Sequence, residues 1–252
     1  MSRIISIVNQ KGGVGKTTTA INLAAGLAVL EKKTLLIDFD PQGNSSSGLG
    51  IDKNEIEKHI YQVIIGKTKI KETILPAAID NLDIIPANIN LTGAEIELVK
   101  EFAREQKLKE ALKDIVDDYE YIIIDCPPSL GLLSVNALTA STDVIIPIQC
   151  EYFALEGVSQ LLNTIRLIQQ SLNPNLNIFG ILLTMYDKRL NLSNQVLTEV
   201  RRYFKEQVFE TVINRNVKLS EAPSYGKSIF EYDIKSVGSQ NYLELASEVV
   251  KR

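Results

Sequence analysis

Short apolar runs alternate along the chain with longer stretches of helical period. The runs at residues 4–8, 34–39, 82–86, 121–126, 143–149, 179–184 and 208–213 are rich in Ile, Val and Leu at both odd and even positions. A strand with one solvated face alternates apolar and polar residues. Continuous apolar runs therefore predict strands covered on both faces. Between them, residues 16–30, 55–64, 93–117, 130–140, 155–171, 192–206 and 240–251 predict helices. Strand–helix alternation builds a mainly parallel, twisted sheet through right-handed crossovers. The expectation is one α/β domain over residues 1–252, with about seven or eight strands and helices on both faces. No repeat, low-complexity segment or Gly/Ser linker divides it.

Sheets of this kind hold ligands at the carboxyl ends of their strands. The polar residues of interest follow the predicted strands directly. After the first run comes NQKGGVGKTTTAINLAAGL, whose tail is a strong helix sequence. Gly12, Gly13 and Gly15, with Val14 between them, make a loop whose N–H groups can cradle phosphates at the positive end of that helix. This strand–loop–helix context predicts a P-loop nucleotide site. Lys16 is placed to reach the β- and γ-phosphates, the Thr17 hydroxyl to ligate Mg²⁺, and Thr18 to donate to the α-phosphate. The strict spacing departs at Gln10, which holds the first glycine position, and a second lysine, Lys11, precedes the glycines. One lysine suffices for the loop's own phosphates, so Lys11 is free to reach the nucleotide of a second subunit.

Two acidic segments complete the pattern. The second predicted strand ends in DFDPQGN, with Asp38 and Asp40 at its carboxyl end, and the fourth ends in IIIDCPPSLG, with Asp125 in the position of a Walker B aspartate. A magnesium nucleotide needs a carboxylate near the metal, and hydrolysis needs a group that orients water.

These motifs resemble the ParA/MinD superfamily of ATPases with a deviant Walker A loop, and most closely its ParA/Soj chromosome- or plasmid-partitioning branch. The resemblance runs from about residue 3 to residue 251. It implies ATP and Mg²⁺ as cofactors, Lys11 acting across an ATP-sandwich homodimer, and Gly12 and Gly13 at the dimer interface, where a side chain would clash. It also implies that Asp40 positions the attacking water, with Asp38 and Asp125 supporting the metal. The segments TMYDKRLNLS and INRNVKLSEAPSYGK resemble the branch's segments for base and DNA binding. The branch carries Pro where this chain has Asn214, and it retains Asn216; both are candidates for the adenine pocket. Nonspecific DNA binding is implied at Arg189 and Lys218, with Arg215 beside them. Lys188, Arg201, Arg202 and Lys227 extend the patch. A ParB-type DNA-bound partner that stimulates hydrolysis is implied as well.

Composition changes this picture little. Hydrophobic residues make up 45% and the formal net charge is −4. Residues 51–118 carry 10 basic and 14 acidic side chains, whereas residues 185–227 carry 8 basic and 5 acidic. A basic face thus concentrates in the C-terminal third, and nonspecific binding asks only for charge at the phosphate backbone. No run of about 18 apolar residues or signal peptide is visible, so a cytoplasmic, nucleoid-associated location is expected. NYLELASEVVKR reads as a helix of the fold rather than the basic amphipathic anchor of a membrane-positioning ATPase. Cys126 and Cys150 read as buried free thiols, too few for an iron–sulfur cluster. His59, the sole histidine, reads as a surface or half-buried residue without a catalytic role. A small-molecule ligase on the same fold and a nucleotide-sensing scaffold without turnover are the remaining alternatives.

Overall fold

A computed structural model describes residues 2–151 and 156–252. The strands are β1 Arg3–Ile7, β2 Thr34–Asp38, β3 Leu75–Pro76, β4 Leu82–Ile85, β5 Tyr121–Asp125, β6 Asp143–Gln149, β7 Asn177–Tyr186 and β8 Val208–Asn214. They form one sheet in the order β3-β4-β2-β5-β1-β6-β7-β8. Every neighbouring pair is parallel except β3 with β4. All seven predicted strands are present. The eighth, β3, has two residues, too few for any periodicity. It closes the sheet edge with Pro76, a residue that cannot extend pairing.

The helices are α1 Lys16–Val29, α2 Asn44–Gly48, α3 Ile60–Ile64, α4 Leu91–Glu97, α5 Lys107–Leu112, α6 Leu132–Ala140, α7 Glu156–Ser171, α8 Asn191–Phe204, α9 Val217–Glu221, α10 Ile229–Tyr232 and α11 Val237–Lys251. Alternate strand residues serve two separate cores. Leu35, Ile37, Ile122, Ile124, Val144 and Ile146 belong to the core that also holds Leu133 of α6, Leu161 of α7 and Val200 of α8. Ile5, Ile7, Leu36, Ile123 and Ile145 share the other with Leu23 and Leu27 of α1 and Tyr242, Leu245 and Val249 of α11. Burial on both faces explains why the strands read as continuous apolar runs.

Three helix expectations require correction. The single helix expected at 93–117 is broken into α4, three-residue 3₁₀ turns at Leu98–Lys100 and Arg104–Gln106, and α5. Ala103 sits at φ 50°, and Asn136 on α6 holds the break. Its Nδ2 donates to Arg104 O at 2.8 Å while its Oδ1 accepts from Leu108 N at 3.2 Å. Tertiary hydrogen bonds here override a good helical sequence. The helix expected from 55 starts only at Ile60, because Ile60 N donates to Pro86 O at 3.0 Å and Gln62 Oε1 accepts from His59 N at 2.7 Å. His59 itself is buried, not half-exposed. The last helix begins at Val237 rather than 240, capped by the Ser236 hydroxyl accepting from Ser239 N. Residue 155, expected to open a helix, lies outside the described residues.

Candidate functional site

The register levels the carboxyl ends of the central strands. Ile7 of β1 and Asp38 of β2 both pair with Asp125 of β5. The phosphate loop therefore leaves the sheet beside two carboxylates. In that loop Gly13 lies at φ 75° and Gly15, the N-cap of α1, at φ 88°. Both are left-handed conformations that glycine adopts without penalty. Asn9 anchors the loop from below: its Nδ2 donates to Pro147 O at 2.7 Å and its Oδ1 accepts from Lys11 N at 3.0 Å. Thr184 of β7 anchors it from the side, donating to Val14 O at 2.8 Å.

The two lysines diverge. Lys16 is buried, and its Nζ spans the loop to donate to Lys11 O at 3.1 Å. Burial lowers its pKa, partly offset by Asp125, Cys126 and Asp40. Lys11 leaves the loop instead. Its Nζ is 3.8 Å from Glu151 Oε2, with 42% of the side chain exposed. A Cβ added at Gly12 or Gly13 would meet nothing within 4 Å. Among the described residues nothing crowds those positions.

Asp38 and Asp125 are fully buried and Asp40 nearly so. Asp38 Oδ2 accepts from Ser46 Oγ at 2.6 Å and Ser46 N at 2.8 Å. Asp125 Oδ2 accepts from Ser45 Oγ at 2.7 Å. Asp40 Oδ1 accepts from Gln42 N at 2.9 Å, which fixes the direction of that carboxylate. Burial pushes Asp38 up to about 6, and burial together with the nearby Asp38 pushes Asp125 up to about 7. The nearby Ser45 and Thr17 hydroxyls work against that rise.

Asp125 Oδ1 is buried with no hydrogen-bond partner among the described residues. An orphaned carboxylate oxygen beside a threonine hydroxyl, among carboxylates that outnumber the buried lysine, suits a hard divalent cation. Among the described residues no three His, Cys, Asp or Glu side chains converge to hold a metal alone. Mg²⁺ does not need them, since it is commonly held by one or two carboxylates together with substrate phosphates.

Beside the loop, a cavity of about 110 Å³ is lined by Thr18, Met185, Asn214, Asn216, Leu219 and Tyr242, among others. Met185 lies at φ 53°, a left-handed conformation for a residue with a side chain. Asn216 N-caps α9, its Oδ1 accepting from Lys218 N at 2.8 Å. Both asparagines expected at a base pocket thus line one cavity, reached from the same helix end as the phosphate loop.

The expected DNA-contacting cations gather where β7 and β8 end. Arg215 N donates to Tyr186 O at 2.9 Å, joining the two segments. Arg189, Arg215 and Lys218 are each already paired. Arg189 forks onto Asp187, with Nε at 2.9 Å from Oδ1 and Nη2 at 2.7 Å from Oδ2, and this holds the Asp187 carboxyl down at about 2. Arg215 Nη2 is 3.9 Å from Glu151 Oε1, and Lys218 Nζ is 3.0 Å from Glu221 Oε2. Arg189 remains 82% exposed, and exposed pairs of this kind are weak.

Sequence reasoning missed Ser45, Ser46, Glu151 and Asn241. The serines sit in the run that follows DPQGN, so their place beside the aspartates was visible. Glu151 and Asn241 carry no local signal and act through long-range contacts. The segment bearing Ser46 also meets the C-terminal third directly. Gly50 and Gly226 lie at φ 81° and 64°, and a Cβ built on Gly226 would stand 2.6 Å from Gly50 Cα.

Comparison with known proteins bears on these features. A family model described as an AAA domain matches residues 2–178. The sporulation initiation inhibitor protein Soj of Bacillus subtilis is 58% identical over 249 residues, covering 99% of this chain and 98% of its own. The chromosome partitioning protein ParA of Myxococcus xanthus is 57% identical over 252 residues, covering 100% and 89%. Among solved structures, cobyrinic acid a,c-diamide synthase from Mycobacterium smegmatis with bound ADP and magnesium superposes with a TM-score of 0.89 at 37% identity, covering 100% of this chain and 95% of that one. With the P-loop, the two lysines and the aspartates assembled at one end of the sheet, the chain belongs to the ParA/Soj family of P-loop chromosome-partitioning ATPases.

Proposed function

We propose that this protein is an ATP-gated DNA clamp that acts in chromosome or plasmid segregation. It binds ATP with Mg²⁺, forms a homodimer around the nucleotide, and binds duplex DNA without sequence preference. It then hydrolyses ATP when a ParB-type, DNA-bound partner stimulates it. It works in the cytoplasm, associated with the nucleoid.

The observation that carries the reading is the divergence of the two lysines. Lys16 stays with its own loop, whereas Lys11 projects outward, half exposed, beside glycines that nothing among the described residues crowds. A cation aimed away from its own phosphates is suited to those of a facing subunit, with Gly12 and Gly13 admitting that subunit's close approach. The backbone amides from Gly12 to Thr18 and the dipole of α1 bind the phosphate chain. Thr17, Asp38 and Asp125 hold Mg²⁺, which when bound supplies charge neutralisation to the phosphate oxygens. Asp40, its direction fixed by Gln42 N, orients the attacking water. Lys11 and Lys16 stabilise charge on the transferring phosphoryl group.

Arg189, Arg215 and Lys218 bind DNA phosphates by exchanging their weak carboxylate pairs for phosphate pairs. A single subunit offers few cations and binds weakly. Two subunits joined by ATP present two patches, and the second engagement becomes intramolecular. Among the described residues no helix is long and apolar enough to cross a membrane. The structural match to a diamide synthase is the observation that favours a small-molecule enzyme. Its 37% identity stands below the 58% to Soj.

The test is duplex-DNA binding with ATP, ADP or no nucleotide, for the intact protein and for Lys11→Ala and Arg189→Ala. Salt-sensitive binding that needs ATP and is lost in both variants is expected. Binding that ignores nucleotide, or none in any state, would sink the clamp and return attention to a small-molecule substrate.

A further inference from the structure

Asn214 has a partner that a proline at this position could not keep. The Oδ1 of buried Asn241, on α11, accepts from the backbone N–H of Asn214 at 3.0 Å and from Asn214 Nδ2 at 2.9 Å. The direction of both amides follows from this. A backbone N–H can only donate, so the atom of Asn241 facing it must be oxygen. That oxygen then requires the NH₂ end of Asn214, because two carbonyl oxygens would repel. Asn214 Oδ1 is left as a hydrogen-bond acceptor on a residue that lines the cavity beside Thr18. Proline at 214 would lack the N–H that sets this arrangement.

The same logic applies to Asn216. Its Oδ1 accepts from Lys218 N, which is again a backbone donor, so its Nδ2 remains as the free donor. The cavity wall thus offers one oriented acceptor and one oriented donor. Adenine carries an amino donor at C6 beside the acceptor N1, whereas a 6-oxopurine reverses both groups.

We infer that Asn214, aimed by Asn241, is a specificity-determining acceptor that selects adenine over 6-oxopurine nucleotides. This rests on the reading that the cavity beside Thr18 holds the nucleotide base. Asn241 touches no base and acts by fixing which end of the Asn214 amide the cavity sees. Without it the amide can turn, and its NH₂ would then welcome the oxo group. A pocket built around an oriented hydrogen bond discriminates because the wrong base leaves a polar group unpaired.

The test measures ATP and inosine triphosphate affinities, with Mg²⁺, for the full chain and its variants, each checked for intact folding by circular dichroism. Inosine differs from adenosine at the C6 group and N1 proton alone, so the ratio of the two affinities reports the C6 edge. Asn241→Leu and Asn214→Ala are each expected to lower the preference for ATP by about tenfold, which is about 1.4 kcal/mol. Asn241→Asp still accepts from both donors and is expected to keep the preference. A purely structural role for Asn241 would weaken both nucleotides alike and leave the ratio unmoved, which overturns the inference. Ser220→Phe, at the exposed mouth of the cavity, separates the two levels. If it weakens both nucleotides while the asparagine variants leave the ratio intact, the base pocket stands and the inference falls. If it changes neither affinity, the base lies elsewhere and both fall.

Discussion

Replacing Ser46 by alanine removes one oxygen that serves two buried groups. Ser46 Oγ donates to Asp38 Oδ2 at 2.6 Å and accepts from Ala87 N at 3.0 Å, and Ser46 is fully buried. It thereby ties α2 to the ends of β2 and β4. In the variant, Asp38 keeps only the Ser46 N–H from this residue, and the Ala87 N–H is left without a partner. A hydrogen bond to a charged group is worth about 1.5–3 kcal/mol, and an orphaned buried N–H costs about 1–3 kcal/mol. The expected loss is about 3 kcal/mol. For a chain of this size that corresponds to a fall in Tm of roughly 6–12 °C. Ser47→Ala is the matched control. Its hydroxyl donates to Gly43 O at 3.1 Å in a partly exposed position, and its loss should cost under about 1 kcal/mol. Thermal melts by circular dichroism compare the two. A Ser46→Ala shift under about 2 °C, or equal shifts in both variants, would refute the bridging role.

Two further outcomes follow from burial and close approach. Gly226→Ala places a methyl group 2.6 Å from Gly50 Cα on a backbone at φ 64°, and a loss of about 2–4 kcal/mol is expected from strain and overpacking together; a melt indistinguishable from the parent would show that the contact is loose. Burial pushes the Cys126 thiol well above its ordinary range and the Cys150 thiol up to about 12. Because alkylation needs thiolate, both should resist iodoacetamide at pH 8 until the protein is unfolded, and mass spectrometry of the intact protein would count any adduct formed before unfolding.

The chemistry of the site was legible because it is written locally. A glycine loop before a helix and aspartates at the ends of apolar runs each declare themselves within about ten residues. The strands were legible because burial on both faces leaves a continuous apolar signature. What escaped depends on distant partners. No periodicity around Arg104 warns that Asn136 will break a helix there. Nothing around Asn241 shows that it will turn the amide of Asn214. Glu151 follows a strand like the aspartates do, yet its meeting with Lys11 and Arg215 exists only once three segments converge. Lys11 itself was singled out by its excess over what one loop needs, and in the structure its side chain leaves the loop toward Glu151.

The meeting of Gly50 with Gly226 has a mechanical meaning. Most contacts between segments run through side chains, whose torsions absorb small displacements as a spring would. Here two main chains touch with no side chain between them, one following the aspartates of the phosphate end and the other lying among the cations of the C-terminal third. Such a joint has almost no compliance. A movement of a few tenths of an ångström in the segment after Asp40 either carries the segment around Lys218 and Lys227 with it or opens the joint.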